Sequence, residues 1–492
     1  MSQDGNKFRT ATSKRQRKNL KNVRIIFPEQ IYRLMTSSFS KSHETNLEGY
    51  ALAQCGIIAG SGKKNITYLV KKIYIPDNCD LIEHSSISVT PAGEFLGRVL
   101  GEAGQSNSSV LEIHTHLDAA KPSFSSIDLE NGIENGRFLR TCGIPFGMMV
   151  IGDAGMSLLE YEGDSDSLQL PASITAMVMT RQGLEGTLAY PATEETPAMP
   201  DTYDRQIRIW GEARQRKIHE TTAGIAGLGG TGALVLLMLA RIGVKNFILI
   251  DPDIVEGSNL NRLPYAFAPD TGKKKVKVAA SYLKKVSNDA GIVAIPQPVE
   301  QSGDRLKSCD VIFGCVDNDR ARLALNELSL RYYIPYIDTG TEIIVKEGCI
   351  EDMGGQVRVV VPGVTGCLEC GGLIDKEQVA AGLMGAEDRE IVKKAGYIRG
   401  TNDTPAPAVM TLNTIIASIA VQEFIDMRTG RARPAYNYMI YNAVRQQIER
   451  LALDRNSSCS MCADDCSCIG SGDSRRSGRL KTKIMDRDVS HS

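Results

Sequence analysis

The run Val110-Leu-Glu-Ile-His114-Thr-His116 places two imidazoles at positions i and i+2 of an apolar strand. Side chains alternate across a strand, so both rings point to one face, where two nitrogens can converge on a zinc ion. Downstream, Pro122-Ser-Phe-Ser125-Ser-Ile-Asp128 leads into a helix and offers Asp128 as a third protein ligand. Three ligands leave a fourth position for water, which separates a catalytic zinc site from a structural one. The bland alternative is a satisfied structural pair of histidines. A second constellation is formed by Cys367-Leu-Glu-Cys370 and Cys459-Ser-Met-Cys462, two Cys-x-x-Cys knuckles that can supply the four thiolates of a closed tetrahedral zinc site. That reading needs a fold that joins two distant segments, and Cys466 and Cys468 are alternative ligands.

Phosphate chemistry is written into a third stretch. Thr222-Ala-Gly-Ile-Ala-Gly-Leu-Gly-Gly-Thr-Gly places Gly227, Gly229 and Gly232 between a strand and a helix. Glycines there allow a tight turn and let backbone N–H groups approach phosphate at a helix N-terminus. Asp251 ends the next strand, nineteen residues past Gly232. A carboxylate at that point can accept hydrogen bonds from ribose hydroxyls. Taken alone, the fingerprint is ambiguous, and an NAD-linked oxidoreductase is its more common explanation. Further polar residues move the balance: Ser258-Asn259-Leu-Asn261-Arg262 follows the strand, Lys275 lies thirteen residues beyond Arg262, Asp317-Asn318 ends an apolar strand, and Tyr203-Asp-Arg205 precedes the unit. Hydride transfer needs no pair of cations with a metal-binding carboxylate. Breaking an α–β phosphoanhydride does, because negative charge builds on the departing pyrophosphate.

Over about 203–453 these motifs resemble the ThiF, molybdopterin-synthase-adenylyltransferase and ubiquitin-activating superfamily. The resemblance implies ATP and Mg2+ as cofactors, with Gly227, Gly229 and Gly230 in the phosphate loop and Asp251 on the ribose. It puts Ser258, Asn259, Asn261 and Arg262 on the nucleotide, Arg262 and Lys275 on phosphate, and Asp317 on magnesium with Asn318 beside it. Arg205 matches an arginine that the family supplies across a homodimer interface. The implied reaction adenylates the C-terminal glycine of a ubiquitin-like or sulfur-carrier protein. Leu263 departs from the pattern, standing where many members have Gln. The crossover from Asp375 to Pro407 holds no cysteine, although members that form a thioester carry one there. The adenylate then passes to a conjugating enzyme or another thiol-bearing partner, or Cys466 or Cys468 serves instead. Cys55, Cys79, Cys142, Cys309, Cys315 and Cys349 mostly occupy apolar runs and are expected in the core.

The pattern His114-x-His116…Ser125-x-x-Asp128 resembles the JAMM motif of JAB/MPN peptidases, which cleave after the terminal glycine of ubiquitin-like proteins. By that likeness one Zn2+ is catalytic and the cysteine-bound Zn2+ structural, Ser125 stabilises the oxyanion, and Glu48 is the general base with Glu44 as the fallback. Eight residues separate His116 from Ser125, one more than usual, and Glu48 lies five residues earlier than in eukaryotic members, an offset that matches a bacterial fused subgroup.

These motifs need elements to hold them. Strand-like runs at 51–58, 68–75, 110–114 and 147–151, with helix-like runs at 91–100 and 126–139, predict a mixed α/β domain over 23–163. The JAMM likeness makes it a JAB/MPN, cytidine-deaminase-like domain. Residues 164–202, with Pro191, Pro197 and Pro200, read as a linker, and 203–469 as a Rossmann-like, doubly wound adenylation domain. Residues 1–22 and 470–492 are expected to be disordered tails. The formal charge of −1 argues against general nucleic-acid or membrane binding, and the basic run from Lys7 to Arg24 reads as a solvated tail. With no apolar leader and twelve cysteines, the chain is expected to be cytoplasmic with reduced or metal-bound thiols. Three rivals remain: a sulfur-carrier pathway adenylyltransferase, a catalytically dead modifier-binding scaffold, and an NAD dehydrogenase.

Overall fold

The computed structural model describes residues 21–59, 65–117, 122–152, 155–190, 199–377, 379, 407–431 and 436–473. Most of the basic tail, the crossover after residue 379 and the tail beyond residue 473 lie outside the described residues. The chain divides into two compact units, one built on residues 33–174 and the other on 175–470 with 26–32.

In the first unit, helix α1 (Glu29–Glu44), which belongs to this unit from residue 33 on, precedes strands β1 (Tyr50–Ala59) and β2 (Asn65–Tyr74). Helix α2 (Gly93–Gln105), strand β3 (Ser109–Thr115), helix α3 (Ser126–Thr141) and strands β4 (Phe146–Gly152), β5 (Gly155–Glu162) and β6 (Ser167–Gln169) follow. The strands run in the order β2-β1-β3-β4-β5-β6. Strand β3 pairs antiparallel with β1, setting Tyr50 opposite His114, and parallel with β4. Strand β1 is buried along its first seven residues, as a central strand with both faces covered must be. Phe95, Val99, Leu139, Phe146 and Met148 fill the adjoining core. Helix α3 comes unusually close to the sheet: a Cβ on Gly132 would lie 2.1 Å from Met148 Sδ, and one on Gly136 2.3 Å from the Tyr161 ring. At its start, Ser125 Oγ accepts from Asp128 N–H at 3.1 Å, and Ser125 N–H donates to the Asp128 carboxylate at 2.7 Å. This capping box fixes the helix start next to the end of β3.

The second unit carries helix α4 (Asp204–Trp210), strand β7 (Thr222–Ala226), helix α6 (Gly230–Ile242) after the short helix α5 (Glu212–His219), strand β8 (Asn246–Ile250) and helix α7 (Lys275–Val286). Strands β9 (Gly291–Ile295) and β10 (Val311–Gly314), helix α8 (Asp319–Tyr332), the long hairpin β11 (Tyr336–Lys346) and β12 (Cys349–Val360), helix α9 (Met410–Thr429), and strands β13 (Tyr438–Asn442) and β14 (Gln447–Leu451) complete it. The sheet order is β9-β8-β7-β10-β11-β12-β13-β14, parallel through β11 and antiparallel beyond. The chain reverses direction across the sheet between β7 and β10, and a crevice outside the carboxyl ends of strands forms at such a switch point.

Two boundary expectations change. The stretch expected to be a linker, 164–202, contains strands Ser167–Gln169, Ser173–Thr180 and Gly183–Tyr190. Ser-Ile-Thr-Ala-Met-Val-Met-Thr buries alternate residues, a period of two that its polar flanks obscure. The tail expected to start at residue 470 is ordered to Asp473 in the first unit: its N–H donates to Ile57 O at 2.7 Å and its carboxylate accepts from Ala59 N–H at 3.0 Å.

Candidate functional site

The turn after β7 is possible only with glycine at two points. Gly227 has φ +86°, and a Cβ there would lie 2.3 Å from Cys315 O at the end of β10. A Cβ on Gly232 would lie 1.9 Å from Gly227 O, so helix α6 also starts against the turn. Gly229, the N-cap of α6, brings no side-chain cap and faces open space, leaving the helix N-terminus accessible to an anion. Asp251, 4% exposed at the end of β8, accepts from Leu228 N–H at 2.6 Å and from Asp253 N–H at 2.8 Å. Burial raises its pKa above the usual carboxylate range, and Lys275 works against that shift. Tyr265, not singled out from sequence, donates its hydroxyl to Leu228 O at 2.7 Å and braces the same turn.

The cations converge on this turn. Among the four neighbouring lysines, Lys275 is the buried one, and its ammonium donates to Asp253 at 2.8 Å. Lys273 pairs with Asp270 at the surface, and Lys274 donates to Pro252 O. Arg262 packs its Cδ 3.2 Å from the position of a Gly230 Cβ, and its guanidinium donates to Ser258 O at 2.7 Å and to Asn261 Oδ1 at 3.1 Å. Asn259 is buried and its Oδ1 accepts from Glu256 N–H at 3.2 Å, shaping the loop that carries Ser258 and Arg262. Leu263 is buried at 2% exposure. Asp317 is exposed just past β10, on the far side of the switch point from Asp251. Asn318 caps α8 by accepting from Ala321 N–H at 2.8 Å, so its side-chain oxygen is committed to the helix. Arg205 is exposed on α4, and among the described residues no hydrogen bond joins it to the turn. Asp253 joins the site without being singled out from sequence; its signal is its place two residues after Asp251, where it meets Lys275 at the first turn of α7.

The two cysteine knuckles come together although they lie 92 positions apart in the chain. Cys367 Sγ lies 3.7 Å from Cys459 Sγ and 3.9 Å from Cys370 Sγ, and Cys370 Sγ lies 3.3 Å from Cys462 Sγ. Four sulfurs within 4.8 Å of one another form the donor set of a tetrahedral thiolate site. Cys466 and Cys468 stay outside it, turned to Ser460 O and Glu327 O. Of the six cysteines expected in the core, Cys79, Cys142 and Cys349 are instead exposed: Cys142 and Cys349 sit at the ends of α3 and β12, and Cys79 lies in the short 3-10 turn Asn78–Asp80. Burial pushes the Cys315 thiol up to about 12, which removes it as a nucleophile.

In the first unit, His114 Nε2 and His116 Nε2 approach to 3.2 Å at the end of β3. Asp128 Oδ1 lies 3.7 Å from His114 Nε2, and its Oδ2 3.5 Å from His116 Nε2. Burial alone would raise the Asp128 pKa, but the two imidazoles hold the carboxyl far below its ordinary range. Two imidazole nitrogens and a carboxylate oxygen so disposed match the donors of a three-ligand zinc site. Glu48 is buried beside them, its pKa raised by burial, whereas Glu44 is exposed at the end of α1. The Ser125 oxygen accepts within the capping box, which leaves its hydroxyl proton to donate outward.

The ThiF family model matches residues 203–461. Relatives include proteins named ubiquitin-like modifier-activating enzyme 5. The one from Gallus gallus is 27% identical over 259 residues, covering 50% of this chain and 59% of that one. The one from Drosophila willistoni is 28% identical over 270 residues, covering 51% and 59%. This chain thus spans about three-fifths of the length of these relatives. Among solved structures, Escherichia coli MccB with ATP aligns at 22% identity and a TM-score of 0.42, over 54% of this chain and 75% of that one. No helix among the described residues is long and apolar enough to cross a membrane.

Proposed function

The chain belongs to the ThiF family through residues 203–461, and from that premise we propose that its second unit uses ATP to adenylate the C-terminal glycine of a ubiquitin-like protein. The observation that carries this reading is the convergence of Asp251, Lys275 and Arg262 on the glycine turn that starts α6. In this reading Asp251 holds the ribose, the α6 N-terminus and Arg262 receive phosphate oxygens, and Asp317 holds Mg2+, which screens phosphate charge when bound. The modifier carboxylate attacks the α-phosphorus, a carboxylate–phosphorus bond forms, and the bond to the bridging oxygen breaks. Lys275 and Arg262 stabilise the charge that gathers on the leaving pyrophosphate. Arg205 serves a second copy, which makes the active form a homodimer.

The first unit, in the same proposal, is a zinc peptidase that trims the modifier or releases it from targets. His114, His116 and Asp128 would hold the ion, which lowers the pKa of bound water and polarises a carbonyl when present. Glu48 takes the proton of the attacking water, and the Ser125 hydroxyl donates to the developing oxyanion. Cys367, Cys370, Cys459 and Cys462 would hold a structural zinc. The cysteine-free crossover favours a second reading, transfer of the adenylate to a sulfur donor in a sulfur-carrier pathway.

Exchange of labelled pyrophosphate into ATP tests the adenylation. It should require both magnesium and a protein ending in glycine, and Asp317→Ala should lose most of it. Full exchange by a folded Asp317→Ala protein would remove that residue from the site. Exchange that needs no glycine-ended protein would refute the substrate class.

A further inference from the structure

The Glu48 carboxylate is buried at 6% exposure, yet among the described residues none hydrogen-bonds it. A general base benefits from that isolation. A donor fixed on the carboxylate would lower its basicity and compete with the proton it must take. With no hydrogen bond to fix it, the side chain feels only the charges of the imidazoles and Asp128 beside it, so its aim depends on how its own main chain is held.

That main chain is held from both sides. His84 Nε2 lies 2.8 Å from Glu48 O, and since a carbonyl only accepts, this nitrogen carries the proton. The Glu48 N–H donates to Ser85 O at 3.0 Å, on the turn that also carries His84. One residue on, Gly49 N–H donates to Thr115 Oγ1 at 2.7 Å, and Thr115 N–H returns to Gly49 O at 3.0 Å. His43 Nε2 meets the same hydroxyl at 2.7 Å. A Cβ on Gly49 would lie 2.5 Å from the Phe39 ring, so the segment passes where no side chain fits. Thr115 stands between His114 and His116 in sequence, which ties the Glu48–Gly49 backbone directly to the strand that carries both imidazoles.

We propose that His84 is a positioning residue for the front site: by donating to the Glu48 carbonyl, and with Thr115 holding Gly49, it aims a carboxylate that no hydrogen bond fixes at the His114, His116 and Asp128 centre. The inference rests on the peptidase reading of the first unit. Both the Nε2–H tautomer and the imidazolium of His84 can donate, so the clamp does not depend on its charge.

The test compares His84→Ala and His84→Gln with the unaltered full-length protein, loaded with zinc. The probe is a β-grasp protein ending in Gly-Gly and fused through that glycine to a fluorescent protein. For His84→Ala, kcat should fall about ten- to a hundredfold, as for other residues that orient a site through a neighbour. KM and zinc content should stay unchanged, and His84→Gln, whose amide can donate to the same carbonyl, should recover most of the loss. A readout independent of turnover is hydrogen exchange in the metal-free protein, where the Glu48–Gly49 amides should exchange at least about tenfold faster in His84→Ala. Unchanged kcat or unchanged exchange in His84→Ala, with a cleaving wild type, overturns the proposal alone. Loss of zinc together with activity also overturns it, since His84 would then serve metal retention. A wild type that holds zinc and cleaves no fusion overturns the peptidase reading and this inference with it.

Discussion

Replacing Lys275 by methionine separates the structural and chemical roles of that buried cation. The Lys275 side chain is 11% exposed, and its partner Asp253 is 62% exposed. Methionine keeps the apolar stem in place, and the abandoned Asp253 carboxylate remains solvated. The lost pair therefore costs at most about 1 kcal/mol of stability, the range of ion pairs with one wet partner. Its loss at the site is larger. A preorganised charge aimed at developing negative charge is worth on the order of 2.7–4 kcal/mol, so pyrophosphate exchange should fall about 10²–10³-fold. Asp251 adds to the effect: burial already raises its pKa and Lys275 opposes the rise, so the variant leaves this carboxylate less readily ionised. The assay is labelled pyrophosphate exchange with a glycine-ended modifier, beside denaturant unfolding of the same samples. Lys273→Met, which removes only a surface pair with Asp270, is the control. Near-normal exchange in Lys275→Met, or an equal loss in Lys273→Met, refutes the assignment, as does a stability loss large enough to account for the missing rate.

Two further expectations follow from the same geometry. Mixing Arg205→Ala with Lys275→Ala under subunit exchange should restore part of the pyrophosphate exchange, because one of the two sites in a heterodimer is then intact; no recovery in verified dimers would place each site within one chain. The purified protein should hold about two zinc ions per chain by elemental analysis. His116→Ala and Cys459→Ser should each hold one fewer, with a lowered melting temperature only in Cys459→Ser; two ions retained in either variant would refute its ligand set.

Local backbone demands made the glycine turn readable from sequence. A strand that must turn this tightly into a helix needs glycine at Gly227 and at Gly232, and the contacts with Cys315 O and Gly227 O are the reason. The His114-x-His116 pair was equally legible, since a period of two puts both rings on one face. Selection among like residues was not. Lys275 differs from Lys273 and Lys274 only in that α7 starts there and turns it inward beside Asp253, and Glu48 differs from Glu44 only in burial beside the imidazoles. The cysteines divide for the same cause: Cys367 and Cys459 meet across 92 positions, whereas Cys79 in a short surface turn and Cys142 and Cys349 at element ends reach solvent. Composition and spacing thus name the chemistry a chain carries, because covalent neighbours constrain local geometry directly. Which of several identical side chains is desolvated, and what stands opposite it, depends on elements far apart in the chain, and His84 holding the carbonyl of Glu48 is a contact that only the folded sheet creates.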